Sequence, residues 1–373
     1  MPDLARHQIF QTAIGMSITA RCPIQCAHCI IDAGPHRKEE MRVEKAVEWI
    51  RQSAQYESGK IKTVIITGGE PFCSPVLLRT ILETSASLGL VSVVVTNAFW
   101  GHSIETAEKT LGQYPQIDVL SISTDKYHRR FIPIARVRNA MNAAKKMNIP
   151  FNAAVCIENE KDLLESCAGL SGVVDLSQIR AASVLPAGRG RFLHGETFAF
   201  TEKSAVGGPC SGADFPIIFP DGRVLSCMGI TEIPSAKHPL LSGNVHDRPL
   251  AEILRIGAHD NYLQAMRSLG RDFVVKLIAA TPAGSINLEY YKKYGSCSLC
   301  YAMANDPEIL ELVLDRISHG DVTEKVAAAR MSRFGEKNEA VPEKRPLRKG
   351  GKKHERRNDG NTLSGKHRNF SDL

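Results

Sequence analysis

Short apolar runs alternate with longer amphipathic stretches through the first half of this chain. Residues 15–19, 63–67, 91–96, 119–123, 151–157 and 181–185 read as strands. Between them, residues 43–56 place Val47 and Ile50 on one helical face, and further helical patterns begin near 74, cover 104–111 and 134–147, and begin again near 161. Pro75 suits the first turn of the second helix. Strands alternating with helices predict a parallel sheet with crossover helices. The alternation stops near residue 201. There, apolar residues 216–219 and 223–227 flank Asp221-Gly222, which predicts a β-hairpin. Residues 250–256 and 308–317 read as helices, and residues 274–294 give no clear period.

The 373 residues are 43% hydrophobic and 23% charged, ordinary values for a globular chain with a large core. No apolar run reaches about 18 residues, and the first residues lack the apolar segment of a secretory signal. Ten cysteines without an export signal point to metal ligands in a reducing, cytoplasmic setting rather than to disulfides. The net charge of +7 is concentrated at one end. Residues 337–373 hold eleven Lys/Arg against five Asp/Glu, a difference of +6, which leaves about +1 for the body. The body therefore gives no electrostatic case for nucleic-acid binding. The basic, apolar-poor stretch reads as a disordered, solubilising tail.

Candidate chemistry falls at the ends of the expected strands. Cys22, Cys26 and Cys29 form a C-x3-C-x2-C loop after the first strand, and Gly68-Gly69-Glu70-Pro71 follows the second. Three cysteines in one loop can hold one face of a cubane and leave an iron open; taken alone, the loop would also suit zinc or inert thiols. Thr96-Asn97 end the third strand, Ser123 and Asp125 the fourth, and Arg189 follows the sixth. In barrels of parallel strands, such ends form the reactive mouth. A strand-end Ser or Asn also serves as a helix cap, so Asn97 and Ser123 admit both roles. Asp125, Tyr127 and His128 are the candidates for catalytic or substrate-binding groups. Cys73, Cys156 and Cys167 read as inert thiols.

The cysteine loop and the G-G-E-P strand end together resemble the radical S-adenosylmethionine (radical SAM) enzymes. The resemblance implies a partial (β/α)6 TIM-like barrel, with a [4Fe-4S] cluster on Cys22, Cys26 and Cys29 whose open iron chelates SAM. It places Gly68, Gly69, Glu70, Pro71, Asn97, Ser123, Asp125 and Arg189 around SAM. His28, before the third cysteine, shields the cluster. The implied reaction is reductive cleavage of SAM to a 5′-deoxyadenosyl radical, which abstracts hydrogen from substrate. It requires an external electron donor of the flavodoxin or ferredoxin type. The strand-five glycine pattern of some members is absent from Val155-Cys156-Ile157-Glu158.

Cys210 and Cys227, joined through the hairpin, and Cys297-x-x-Cys300 at a helix start offer four sulfurs. By chemistry alone this set suits zinc or an iron–sulfur cluster. The layout resembles the twitch and SPASM extensions, which implies one auxiliary [4Fe-4S] cluster with all four ligands supplied. The expected organisation is a barrel domain over 1–200, a small α+β cysteine-rich domain over 201–320, and a helix end with a disordered basic tail over 321–373. The resemblance favours a peptide or protein substrate; a small molecule of cofactor or sugar metabolism is the alternative. Only 21 residues precede Cys22, so a leader-binding domain is expected as a separate protein. A different class, a non-catalytic zinc protein with its basic tail on nucleic acid, predicts no SAM cleavage.

Overall fold

The computed structural model describes residues 11–193, 209–279 and 297–335. The basic tail and most of the 274–294 stretch lie outside the described residues. Met1–Glu339 packs as one compact unit.

Six parallel strands carry the first half: β1 (Ala13–Ser17), β2 (Thr63–Thr67), β3 (Val91–Thr96), β4 (Val119–Ser123), β5 (Phe151–Ile157) and β6 (Ile179–Ser183). Each connection is helical: α1 (Val43–Gln55), α2 (Pro75–Ser87), α3 (Ile104–Leu111), α4 (Ile134–Lys146) and α5 (Glu160–Leu170). The strand order is β6-β5-β4-β3-β2-β1, then β7 (Ile217–Ile218), β8 (Arg223–Leu225) and β9 (Leu241–Asn244). Among the described residues β6 and β1 do not pair, so the parallel strands form an unclosed partial barrel. The expected α/β class and its parallel sheet are present.

Local sequence explains these elements. In α1, Ala46, Trp49, Ile50 and Ser53 recur at helical spacing and are buried. Ser103 and Asn159 cap α3 and α5 by accepting from Thr106 N and Asp162 N. Strands β2 to β4 bury Val64, Ile66, Val94, Leu120 and Ile122 completely. Hydrogen-bonding neighbours on both sides and helices over the apolar face leave these strands little contact with water.

The hairpin is continuous with the barrel sheet. β7 runs parallel to β1, pairing Gly15 with Ile217, and antiparallel to β8. Gly15 permits the approach, since a Cβ there would lie 2.9 Å from the Ile217 side chain. The Asp221-Gly222 turn is as expected, with Gly222 at φ +79°. Gly243 and Asn244 belong to β9. Beyond it come α6 (Leu250–His259), α7 (Asn261–Ser268), α8 (Arg271–Ala279), α9 (Ser298–Asn305), α10 (Pro307–Ile317) and α11 (Gly320–Phe334). The expected helix end after 320 is a 15-residue helix, α11. It buries Val322 and Val326 and is closed by Gly335 in the left-handed region. No described helix is long and apolar enough to cross a membrane.

Candidate active site and cysteine centres

The strand ends meet at a cavity of about 310 Å³. Cys22, Cys26, His28 and Cys29 line it from the loop after β1. Gly68 and Gly69 line it after β2, Thr96 and Asn97 after β3, Ser123, Asp125 and His128 after β4, and Arg189 after β6. Residues far apart in sequence are thus brought together as the strand-end pattern predicts.

The loop's shape is fixed by backbone contacts. Thr19 and Arg21 form isolated bridges with Glu40 and Gly34, and Cys22 N donates to Gly34 O at 3.2 Å. Gly69 N donates to Thr19 O and Glu70 N to Arg21 O, at 2.6 and 2.9 Å. The glycines are required here, because a Cβ on Gly68 or Gly69 would meet the Thr19 or Arg21 carbonyl oxygen at 2.4 or 2.3 Å. The β2 end therefore lies flat against the cysteine loop.

Glu70 does not line the cavity. Its fully buried carboxylate accepts from Asn97 N at 2.7 Å, Thr96 Oγ1 at 2.8 Å and Phe72 N at 3.2 Å. Burial nevertheless pushes its carboxyl up to about 7. Glu70 thus sets the β3 end, from which Asn97 Nδ2 reaches Cys22 Sγ at 3.5 Å. Pro71 begins the following helical turn. Arg189 is a clamp on the loop: its guanidinium donates to Cys26 O at 2.9 Å and Ala33 O at 2.7 Å, and pairs with Asp32 at 2.5 Å. Arg189 N also donates to Cys29 O.

Asp125 is 1% exposed and holds the β4 loop. Its carboxylate accepts from Tyr127 N and His128 N at 2.9 and 3.0 Å and from Cys156 N at 3.2 Å. Burial opposes its ionisation, but His128 beside it and its hydrogen bonds from His128 hold the carboxyl at about 2. His128 Nδ1 lies 2.9 Å from the carboxylate, and His28 Nε2 lies 3.6 Å from it. Tyr127 stacks on His28 with ring centroids 4.5 Å apart and its hydroxyl bonds Glu158, so it backs the site without lining the cavity. Burial lowers His28 to about 4, so its imidazole is neutral at pH 7. An Asp125→Ala variant should lose about 3 kcal/mol of unfolding free energy, since three buried or part-buried backbone donors lose a charged acceptor. Denaturant unfolding of the metal-free chain measures this, and Asp125→Asn should recover part of it.

Cys156, Arg180, Ser183 and Met228 are among the further cavity residues that escaped the sequence reading. Cys156, expected as an inert core thiol, instead faces the cavity from β5. The β5 register makes this legible once strand pairing is known, because Cys156 pairs with Ala182 and Ala154 with Arg180 on the cavity side.

Burial pushes the Cys22 thiol up to about 12 and Cys26 higher still. These thiols release protons when a metal binds, which favours loading at higher pH. The loop fits an iron–sulfur cluster with one open iron: three sulfurs border the cavity, and the glycine backbone and strand ends leave space beside them.

The second cysteine group also assembles. A Cβ on Gly212 would lie 3.0 and 3.6 Å from Cys227 and Cys210 Sγ, and one on Gly229 would lie 3.4 and 3.6 Å from Cys227 and Cys297 Sγ. Cys300 interacts electrostatically with the other three. Burial pushes Cys227 up to about 12, and the buried Tyr262 hydroxyl lies 3.0 Å from Cys300 Sγ. Met228 links this group to the cavity, which it lines next to Cys227.

Residues 16–167, which carry the three-cysteine loop and the G-G-E-P strand end, match the Radical SAM superfamily model. The chain is also similar to a Bacillus subtilis (strain 168) protein, "Putative peptide biosynthesis protein YydG", at 24% identity over 152 residues. That match covers 39% of this chain, and the chain spans about half, 47%, of the relative's length. A crystal structure of BtrN in complex with AdoMet and 2-DOIA superposes with a TM-score of 0.42 at 11% identity, covering 70% of this chain and 88% of that one.

Proposed function

We propose that this protein reductively cleaves SAM and abstracts hydrogen from a peptide or protein substrate. The observation that carries the reading is the common mouth, where the three-cysteine loop and the flat G-G-E-P strand end face one cavity. A [4Fe-4S] cluster with bound SAM would supply one-electron cleavage of the sulfonium bond and a hydrogen-abstracting carbon radical. The chain's own residues hold and shield that chemistry. Cys22, Cys26 and Cys29 ligate, Arg189 and Glu70 fix the loop and the β3 end, and Gly68, Gly69, Asn97 and Ser123 border the SAM space. His28 and His128 form the wall toward β4.

Cys210, Cys227, Cys297 and Cys300 hold an auxiliary [4Fe-4S] cluster of the twitch type in this reading. With four ligands from the chain, this cluster serves electron transfer or structure rather than binding substrate. A soluble one-electron donor supplies the reductant, and a leader-binding protein would act as a separate chain.

Peptide chemistry is supported by the relative's name. The test incubates reconstituted enzyme with SAM, dithionite and pooled peptides, then reads peptide mass and 5′-deoxyadenosine. The reading predicts a mass change or deuterium exchange in a peptide, matched by 5′-deoxyadenosine. Turnover confined to sugars or cofactor precursors would overturn the peptide assignment.

A further inference from the structure

We propose that the substrate peptide docks as an added strand along the free edge of β6, an inference that rests on the peptide reading above. Among the described residues β6 pairs only with β5. Its burial also differs from its neighbours: Arg180, Ala181 and Ala182 are all exposed, whereas β5 alternates buried and half-buried positions throughout. Val184 donates its N–H to Ile157 O at 3.3 Å, toward β5. Alternation along the chain then turns the N–H and C=O groups of Ala181 and Ser183 outward, to the open edge.

Nothing in β6 protects that edge. Its sequence, Ile-Arg-Ala-Ala-Ser, contains no proline, and its one charge, Arg180, lines the cavity. Natural sheets blunt such edges with charge, proline or a cover, so an unprotected edge at a reactive mouth calls for an occupant. An extended peptide is the ligand whose own N–H and C=O groups repeat at strand spacing. A small molecule leaves most of that row unpaired.

The edge also leads to the chemistry. Arg180, Ala182, Ser183 and Val184 all line the cavity. Ser183 Oγ is buried without a hydrogen-bond partner. Alternate side chains of a strand docked on β6 therefore point toward the cavity that Cys29 and Cys156 border. The segments before and after β6 carry Leu176 and Phe192, exposed by 76% and 75%, which offer apolar contacts to residues flanking the docked strand.

The test begins with selection of 12-residue peptides from a random display library on the full, anaerobically reconstituted enzyme with SAM. The best binder is the probe. Ala181→Pro removes one outward N–H, at a place where an edge strand tolerates proline. Ala181→Val keeps the N–H. Ala181→Pro should bind the probe about tenfold or more weakly, Ala181→Val should bind it like wild type, and both should retain peptide-free SAM cleavage. Hydrogen exchange on the wild-type enzyme gives a second reading that needs no variant: the Ala181 and Ser183 amides should slow when the probe binds.

A probe bound and modified equally by all three proteins, with no slowing at 181 and 183, would overturn edge docking while leaving the peptide function standing. Protection of those amides before any peptide is added would show that the chain covers its own edge, and would also overturn the proposal. No bound or modified peptide, with turnover of small molecules instead, would remove the peptide reading and the docking inference together.

Discussion

Cys26→Ala should abolish 5′-deoxyadenosine formation, with a loss of at least a thousandfold against wild type. It should lower iron by about four per chain. Cys26 is 5% exposed, its carbonyl is gripped by Arg189, and it lines the cavity together with Cys22 and Cys29. Gly34, Arg189 and the β2 end hold the loop that carries it in place. The second cysteine group should keep its iron, because it is built from the hairpin and α9. Iron analysis and chromatographic assay of 5′-deoxyadenosine measure both effects. Retained cleavage in this variant would mean that the loop is not the SAM-binding centre.

The paired change Cys227→Ala with Cys300→Ala should have the opposite signature. Iron should again fall by about four per chain, while peptide-free cleavage of SAM should stay within a few-fold of wild type. Formation of modified product should fall by two orders of magnitude or more if the second centre carries an electron to or from the substrate. The reason is spatial: Met228, next to Cys227, and Leu185 line the cavity beside that centre, while the three-cysteine loop is held by other elements. A variant that loses zinc rather than iron would reassign the group as a structural zinc site. Loss of both centres together would mean that the hairpin supports the barrel loop. Thr231, whose hydroxyl bonds the Ile30 carbonyl just after Cys29, is the residue through which that would happen.

The parts of this architecture that sequence reveals are those written locally. β4, β5 and α3 fall at the expected bounds because their apolar runs and flanking polar residues set both ends. β1 and β6 each lie two residues earlier than expected, since pairing with Thr63–Thr67 and with β5 decides their register. The cysteine loop and the glycines were legible because ligand spacing and a carbonyl-tight turn admit few residue types. The side-chain partners of Glu70 and Arg189 were not. The Glu70 carboxylate accepts from Thr96 and Asn97, 26 and 27 residues away. Arg189 grips a carbonyl 163 residues distant. Cys156 looked like core because strand periodicity cannot say whether an inward face meets packing or a cavity. α11 was expected only as a helix end because its buried face is narrow, with Val322 and Val326 in an otherwise polar helix.

The central claim is that the mouth built by Cys22, Cys26, Cys29 and the G-G-E-P strand end cleaves SAM. Its most direct test is made on wild-type protein, purified and reconstituted without oxygen, then given dithionite and SAM. Iron and sulfide are counted per chain, and 5′-deoxyadenosine is quantified. The account predicts about eight irons per chain, four for each cluster, and 5′-deoxyadenosine formed only when reductant is present. Zinc at both sites, with no 5′-deoxyadenosine under any reductant, would contradict it.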